Sequence, residues 1–296
     1  MNLSVSEHVE TARIEVSRGV ELAVDIWRQS DIGLLLVHGL ASNARLWDGV
    51  ATHLHATGHG VAAVDLRGHG RSSKPDSGYE TETVAADLAK VLEWLAAECG
   101  EGWRLPVIVG QSWGANVAVE LGWSRPALVR GIVCVDGGAI ELARRFESWE
   151  VCARVLAPPN LMGTPLKDIE KMLRQSHPDW PDLGIAGVLG NFEVRPDGTV
   201  APWLSYEHHM QILAGMWSQR PSDRWAAIQL PILFVAADTG PPELRAQKDQ
   251  ELTSALADLS KSRVHWFFQA DHDIHAQFPS QLGQLIQEEM EEGLFS

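Results

Sequence analysis

Six short apolar runs, at 34–37, 61–65, 107–109, 132–135, 232–236 and 264–268, recur along this chain with longer stretches between them. Each run is continuous rather than alternating, the pattern of a strand buried on both faces. The stretch after the second run carries Val84, Leu88, Val91, Leu92 and Leu95 at helical spacing, and 244–259 and 282–290 are further helix candidates. Buried strands that alternate with helices need crossover connections covering both faces, which predicts a mostly parallel, doubly wound α/β sheet. Ahead of it, 9–16 and 20–27 alternate apolar and polar residues around Ser17-Arg18-Gly19, which predicts a β-hairpin.

One segment breaks the alternation. From 140 to 229 there is no convincing core strand, and the composition turns to Pro, Trp and mixed helical patches such as Ala157-Pro158-Pro159-Asn160 and His177-Pro178-Asp179-Trp180-Pro181. The expected organisation is a core of 1–138 and 230–296 with a helical subdomain, 139–229, inserted between two core strands. Trp149, Trp180, Trp203, Trp217 and Trp225 lie in the insertion. Either they pack it onto the body, or some of them line an apolar ligand pocket.

The strand-like run before Gly110-Gln111-Ser112-Trp113-Gly114 and the helix-like Ala115-Asn116-Val117-Ala118 after it put a G-x-S-x-G string on a strand–turn–helix. A serine there sits on a strained turn that only small neighbours allow, with its hydroxyl thrust out beyond the strand. The N–H of Trp113 is then free to face a developing oxyanion. The run at 34–37 ends in His38-Gly39-Leu40; Gly39 allows close backbone approach, and the Leu40 N–H is the second oxyanion donor candidate. Past a late strand, Asp271-His272-Asp273-Ile274-His275 offers a histidine on a loop, where a general base for Ser112 belongs. Trp113 and Trp47, beside the two donor loops, are the better pocket-wall candidates.

Taken together, the His38-Gly39 loop, Asp65-Leu66-Arg67-Gly68-His69-Gly70-Arg71-Ser72, the Ser112 turn and the Asp271-His272 loop resemble the α/β-hydrolase superfamily over nearly the whole length. The resemblance implies Ser112 as nucleophile, His272 as base, the Leu40 and Trp113 N–H groups as oxyanion hole, and the insertion as a cap over the site. A carboxylate must hold the imidazole in one tautomer and stabilise the imidazolium. Asp238, after the run at 232–236, is where most of the superfamily carries it, although Ala237 stands in place of the usual glycine. Asp136, in Val135-Asp136-Gly137-Gly138, is the alternative. Asp238 is preferred. His275, three residues beyond His272, reads as a rim or structural histidine.

Other chemistries fit less well. His53-x-His55 and His208-His209 form no recognisable zinc string, no P-loop occurs, and Gly68-His69-Gly70 lacks the third glycine of a dinucleotide fingerprint, so neither metal nor cofactor is expected. A net charge of −15 repels a phosphate backbone and disfavours nucleic acid. Cys99, Cys134 and Cys152 are too widely spaced for a disulfide framework. The start, Met1 to His8, lacks a basic and apolar leader pattern, and no apolar run reaches the roughly 20 residues of a membrane span, so a cytoplasmic protein without a membrane partner is expected. The sequence therefore reads as a carboxylic-ester hydrolase acting on a small, apolar ester. Lactone, amide or carbon–carbon hydrolysis, acyl transfer, or a silent ligand receptor are the alternatives. A homodimer through the Trp-rich insertion is compatible with the sequence.

Overall fold

The computed structural model describes residues 9–29 and 31–296. Met1 to His8, over which the leader pattern was judged, lie outside the described residues. Strands β1 (Val9–Ser17) and β2 (Val20–Trp27) form the expected hairpin, turning at Gly19 with φ +74°. Strands β3 (Gly33–Val37), β4 (Gly60–Val64), β5 (Val107–Gln111) and β6 (Gly131–Val135) are buried at every residue. A small hairpin, β7 (Phe192–Val194) with β8 (Val200–Pro202), stands apart, and β9 (Ile232–Ala237) and β10 (Ser262–Phe267) complete the main sheet. The order is β1-β2-β4-β3-β5-β6-β9-β10, antiparallel from β1 to β4 and parallel from there on.

Alternate residues of each buried strand feed two separate cores, as the two-residue period of a strand requires. Leu35 and Val37 join the interior with Leu88, Val91 and Leu92 of α2 (Thr81–Glu98, after α1, Asp48–Ala56) and with α3 (Trp113–Ser124). Leu34 and Leu36 face the other way, onto Val50 and Leu54 of α1. The helices between β6 and β9 are α4 (Leu142–Arg145), α5 (Trp149–Val155), α6 (Leu166–Ser176), α7 (Asp182–Leu189), α8 (Tyr206–Ser218) and α9 (Ser222–Trp225). After β9 come α10 (Pro242–Asp258), α11 (Ile274–Gln277) and α12 (Pro279–Glu291), the last with Leu282 and Ile286 against α1's core.

The inserted tryptophans mostly pack. Trp225 is buried in the main core, Trp180 clusters with Leu46, Ile185 and Ala276, and Trp149 meets Trp217 edge-on at 6.1 Å. The small β7–β8 hairpin escaped the sequence reading because strands of three residues carry no readable period. Among the described residues no helix is long and apolar enough to cross a membrane.

Candidate active site

The chain leaves β3 for β4 on one side, whereas β5 and β6 lie on the other. The crevice at the carboxyl ends of β3 and β5 is thus a topological switch point, where ligands of open α/β sheets bind. Val37 pairs with Gly110, and Gln111 with Val135, so the loops after β3, β5 and β6 emerge side by side. Among the described residues, three of the four non-glycine residues with positive φ lie in these loops: Ala41 at +57°, Ser112 at +52° and Asp136 at +43°. Backbone strain of this kind persists only where the surroundings over-determine it, and it concentrates at functional sites.

Ser112 sits at φ +52°, ψ −121° between β5 and α3. A Cβ at Gly110 would meet Ala115 at 2.6 Å, and one at Gly114 would collide with the carbonyls of Val37 and His38, so both flanking glycines are required. Ser112 is half-buried, and its hydroxyl makes no hydrogen bond to another described residue. The Trp113 N–H opens α3 and has no helical acceptor.

The loop after β3 is pinned by two histidines. His38 Nε2 accepts from the Leu66 N–H at 3.0 Å, which makes Nδ1 the donor to the Gly39 carbonyl at 2.7 Å. His69 likewise accepts the Ala41 N–H through Nε2 at 3.3 Å and donates through Nδ1 to the Arg67 carbonyl at 2.9 Å. Burial drives both rings towards the neutral form, His38 down to about 4 and His69 well below its usual value. The Ala41 N–H is thus taken, whereas the Leu40 N–H has no acceptor among the described residues. Gly39 has no room for a side chain, because a Cβ would collide with Gln111 Oε1.

Asp65 binds the Ala44 N–H at 2.8 Å and the Arg71 guanidinium at 2.8 Å. Arg67 forms a buried two-pronged pair with Asp87 at 2.6 and 2.7 Å. The Asp65-to-Ser72 motif is thus a brace for the loop after β3.

His272 lies in the loop between β10 and α11, with half of its side chain exposed. Its Nδ1–H donates to Asp136 Oδ2 at 2.6 Å. Asp136, not the expected Asp238, is therefore the carboxylate that meets the imidazole. Asp238 stays in the ladder, its N–H donating to the Phe267 carbonyl at 3.2 Å, and its side chain turns to Arg245 at 3.2 Å. Two further contacts escaped the sequence reading. Gln111 Nε2 donates to the His272 carbonyl and to Asp273 Oδ1, each at 3.2 Å, and so fixes the histidine loop to the Ser112 turn. Lys248 of α10 places Nζ at 2.8 Å from both oxygens of Asp136. Gln111 occupies a variable position of its motif, and Lys248 sits in a helix charged throughout, so neither stood out from its neighbours. His275 is fully buried against Trp47, with ring centroids 4.4 Å apart, and burial lowers it to about 3, which makes it a structural histidine as expected. Trp47 and Trp113 are themselves fully buried, so their indoles line no pocket; Trp113 offers the site only its backbone N–H.

Residues 34–283 match the alpha/beta hydrolase family. A 2-(acetamidomethylene)succinate hydrolase of Mesorhizobium japonicum is 32% identical over 263 residues, which cover 88% of this chain and 85% of the relative. The chain belongs to the alpha/beta hydrolase family. Among solved structures of that fold, E-2-(acetamidomethylene)succinate hydrolase superposes with TM-score 0.79 at 24% identity, covering 96% of this chain and 100% of the other. An esterase of M. tuberculosis does so with TM-score 0.73 at 23% identity, covering 97% and 93%.

Electrostatics in this hydrolase separate the two partners of the contact. Burial alone would raise Asp136, but the hydrogen bond and charge of His272, and then Lys248, outweigh it and hold the carboxyl below its usual range. Desolvation pulls His272 down, yet the Asp136 hydrogen bond and charge leave it raised. That is the polarity of a base whose protonated form is stabilised. Beside the loop after β3, a cavity of about 220 Å³ runs beneath the inserted segment, walled by Pro158, Pro159, Leu161, Phe192 and Trp203, with Ser42, His69, Asn191 and His209 as polar groups.

Proposed function

We propose that this protein is a serine hydrolase that cleaves neutral carboxylic esters through an acyl-enzyme on Ser112. The observation that carries this reading is the His272–Asp136 contact of 2.6 Å beside a serine held at φ +52°. As Ser112 Oγ attacks the ester carbonyl, His272 Nε2 takes its proton, while Asp136 keeps Nδ1 protonated and stabilises the imidazolium. The Leu40 and Trp113 N–H groups receive the oxyanion; each such donor contributes about a hundred- to thousandfold in rate. His272 then protonates the departing alkoxide, and water, activated by the same imidazole, releases the acid.

The substrate class is supported by the cavity. A succinate carries two carboxylates, and a site for it needs cations. The cavity beneath the insertion is walled mainly by apolar side chains with neutral Ser42 and Asn191, burial lowers the pKa of both His69 and His209, and Lys74 is turned to the carbonyls of Gly70 and Ser72 and the face of Trp203. In the cavity lined by His272, Arg145 and Lys248 are each paired with a carboxylate, Glu251 and Asp136. A neutral acyl group fits this lining, unlike the substrate named for the M. japonicum relative. The amide-cleaving alternative uses the same groups and differs only in the leaving atom that His272 protonates.

Turnover of a p-nitrophenyl ester series from acetate to laurate, beside 2-(acetamidomethylene)succinate, tests both points. The esters are expected to turn over and the dianion not, with Ser112→Ala losing roughly 10⁴-fold or more in kcat/KM. Ester hydrolysis that survives Ser112→Ala would sink the nucleophile, and preference for the dianion would sink the substrate class.

A further inference from the structure

The Asp136 carboxylate has two side-chain donors, an imidazole and an ammonium. His272 takes Oδ2, and Lys248 Nζ sits 2.8 Å from Oδ1 and Oδ2 and 3.1 Å from the Ala237 carbonyl. The pair is withdrawn from solvent, the side chains being 13% and 2% exposed, so water screens it little. One turn further along α10, Glu251 holds Arg145 at 2.5 Å and keeps that guanidinium occupied. The other groups around the imidazole are Asp273 in its own loop, Asp271 held against His177 at 3.2 Å, and His275 and His38, both kept neutral by burial. Among the described residues, Lys248 is thus the one ammonium in contact with the carboxylate that meets His272.

We propose that Lys248 is a positioning residue of this site, which keeps Asp136 ionised and aimed at His272 and whose charge opposes the imidazolium formed when Ser112 gives up its proton. The proposal rests on the Ser112–His272–Asp136 reading above. The carboxylate is a stronger partner for the imidazolium when it stands alone than when it is shared with an ammonium. Sharing therefore leaves the imidazole in its base form to lower pH, while the clamp prevents Asp136 from turning away. The charge of Lys248 lowers both Asp136 and His272, in agreement with this direction.

Phosphonylation by diisopropyl fluorophosphate isolates the base from any question of natural substrate. The Ser112 Oγ–P bond forms, the P–F bond breaks with loss of fluoride, and the serine proton passes to His272. Its second-order rate is followed by intact mass on the full chain, across the range in which imidazole titrates, about pH 5 to 8. For Lys248→Met the acid limb is expected to move up by about one pH unit, and Lys248→Arg, which keeps the charge, is expected to hold it in place. If thermal melting shows Lys248→Met to be unfolded, Lys248→Gln replaces it under the same criterion. A lower rate with an unmoved acid limb in the neutral variant would assign Lys248 to packing and overturn the proposal. Failure of the parent reading looks different: label is then absent from the wild type, or persists in Ser112→Ala, and the proposal falls with it.

Discussion

Asp136 and Asp238 each follow a buried parallel strand, and those strands are neighbours, with Val135 opposite Val235. One carboxylate meets His272 and the other meets Arg245. The difference lies in how each strand ends. At β6 Asp136 still donates its N–H to the Val235 carbonyl at 2.7 Å, but it turns at φ +43° and the chain then breaks away into Gly137-Gly138, where a Cβ on Gly137 would collide with the Ser112 carbonyl. Asn116 of α3 then fastens this turn by accepting the Gly138 N–H at 2.9 Å and donating to the Ile140 carbonyl at 2.8 Å. At β9 the chain does not break away, because Asp238 and Thr239 remain bonded to the Phe267 and Ala270 carbonyls. With Thr239 as well as Asp238 held by that neighbour, the Asp238 side chain turns to Arg245 rather than to His272. Placement after a strand is thus not enough to bring a carboxylate to His272; the backbone must also leave the sheet towards Ser112.

The largest expected effect is at Asp136. Asp136→Asn keeps the shape but lets the side chain favour the wrong imidazole tautomer, and the expected loss in kcat/KM is on the order of 10³- to 10⁴-fold. The pH dependence gives a second mark. His272 stands raised because of Asp136, so activity in the wild type is lost, as pH falls, at a higher pH than for an unpaired histidine. In Asp136→Asn the residual activity is expected to persist to lower pH, the direction opposite to that for Lys248→Met. A rate profile within tenfold of wild type would break the comparison by removing Asp136 from the mechanism.

Gly137→Ala probes how closely β6 is fitted to the nucleophile turn. The added methyl has the Ser112 backbone in its way, its Cα at 2.8 Å, so the turn must shift. A displacement of the order of 1 Å at a reacting group costs about a hundredfold in rate, and overpacking costs about 1–3 kcal/mol of stability. Activity measured beside a urea melt separates the two, and an unchanged rate would mean that the close approach does not position Ser112.

The sheet, its two helical layers and the Ser112 turn were legible in the sequence because each is written in a local pattern. Continuous apolar runs mark the buried strands, and the glycines at 110 and 114 mark a turn that a Cβ would block. What was illegible depends on contacts between segments far apart in the chain. Asp136 and Lys248 are 112 positions apart, and Gln111 and His272 161 positions apart. No periodicity within one element records where a neighbouring strand releases its chain. The indoles of Trp47 and Trp113 were misplaced for a related reason, since a residue beside a donor loop can turn inward as readily as towards a ligand. The Gly137-Gly138 pair after Asp136 was the one local sign: two residues without side chains where the backbone must pass over Ser112.

The smallest expected effect is at Asp238, and its smallness is what gives the comparison force. Asp238→Asn removes a charge from Arg245, whose guanidinium is 44% exposed and also lies 5.0 Å from the Trp266 ring, so a partner remains. An ion pair with one half-exposed member contributes at most about 1 kcal/mol. The Asp238 Oδ1 is buried without a hydrogen-bond partner among the described residues, so the substitution breaks no hydrogen bond at that atom. The amide is therefore expected to fold with nearly the parent stability and to keep kcat/KM within about threefold, since no charge next to His272 changes. Asp238→Asn and Asp136→Asn are chemically identical substitutions one strand apart, so general loss of an acidic residue at the sheet end affects both equally. If Asp238→Asn lost as much activity as Asp136→Asn, the carboxylate after β9 would act in a conformation that brings it to His272, and the release of the chain at β6 would not be what selects the acid.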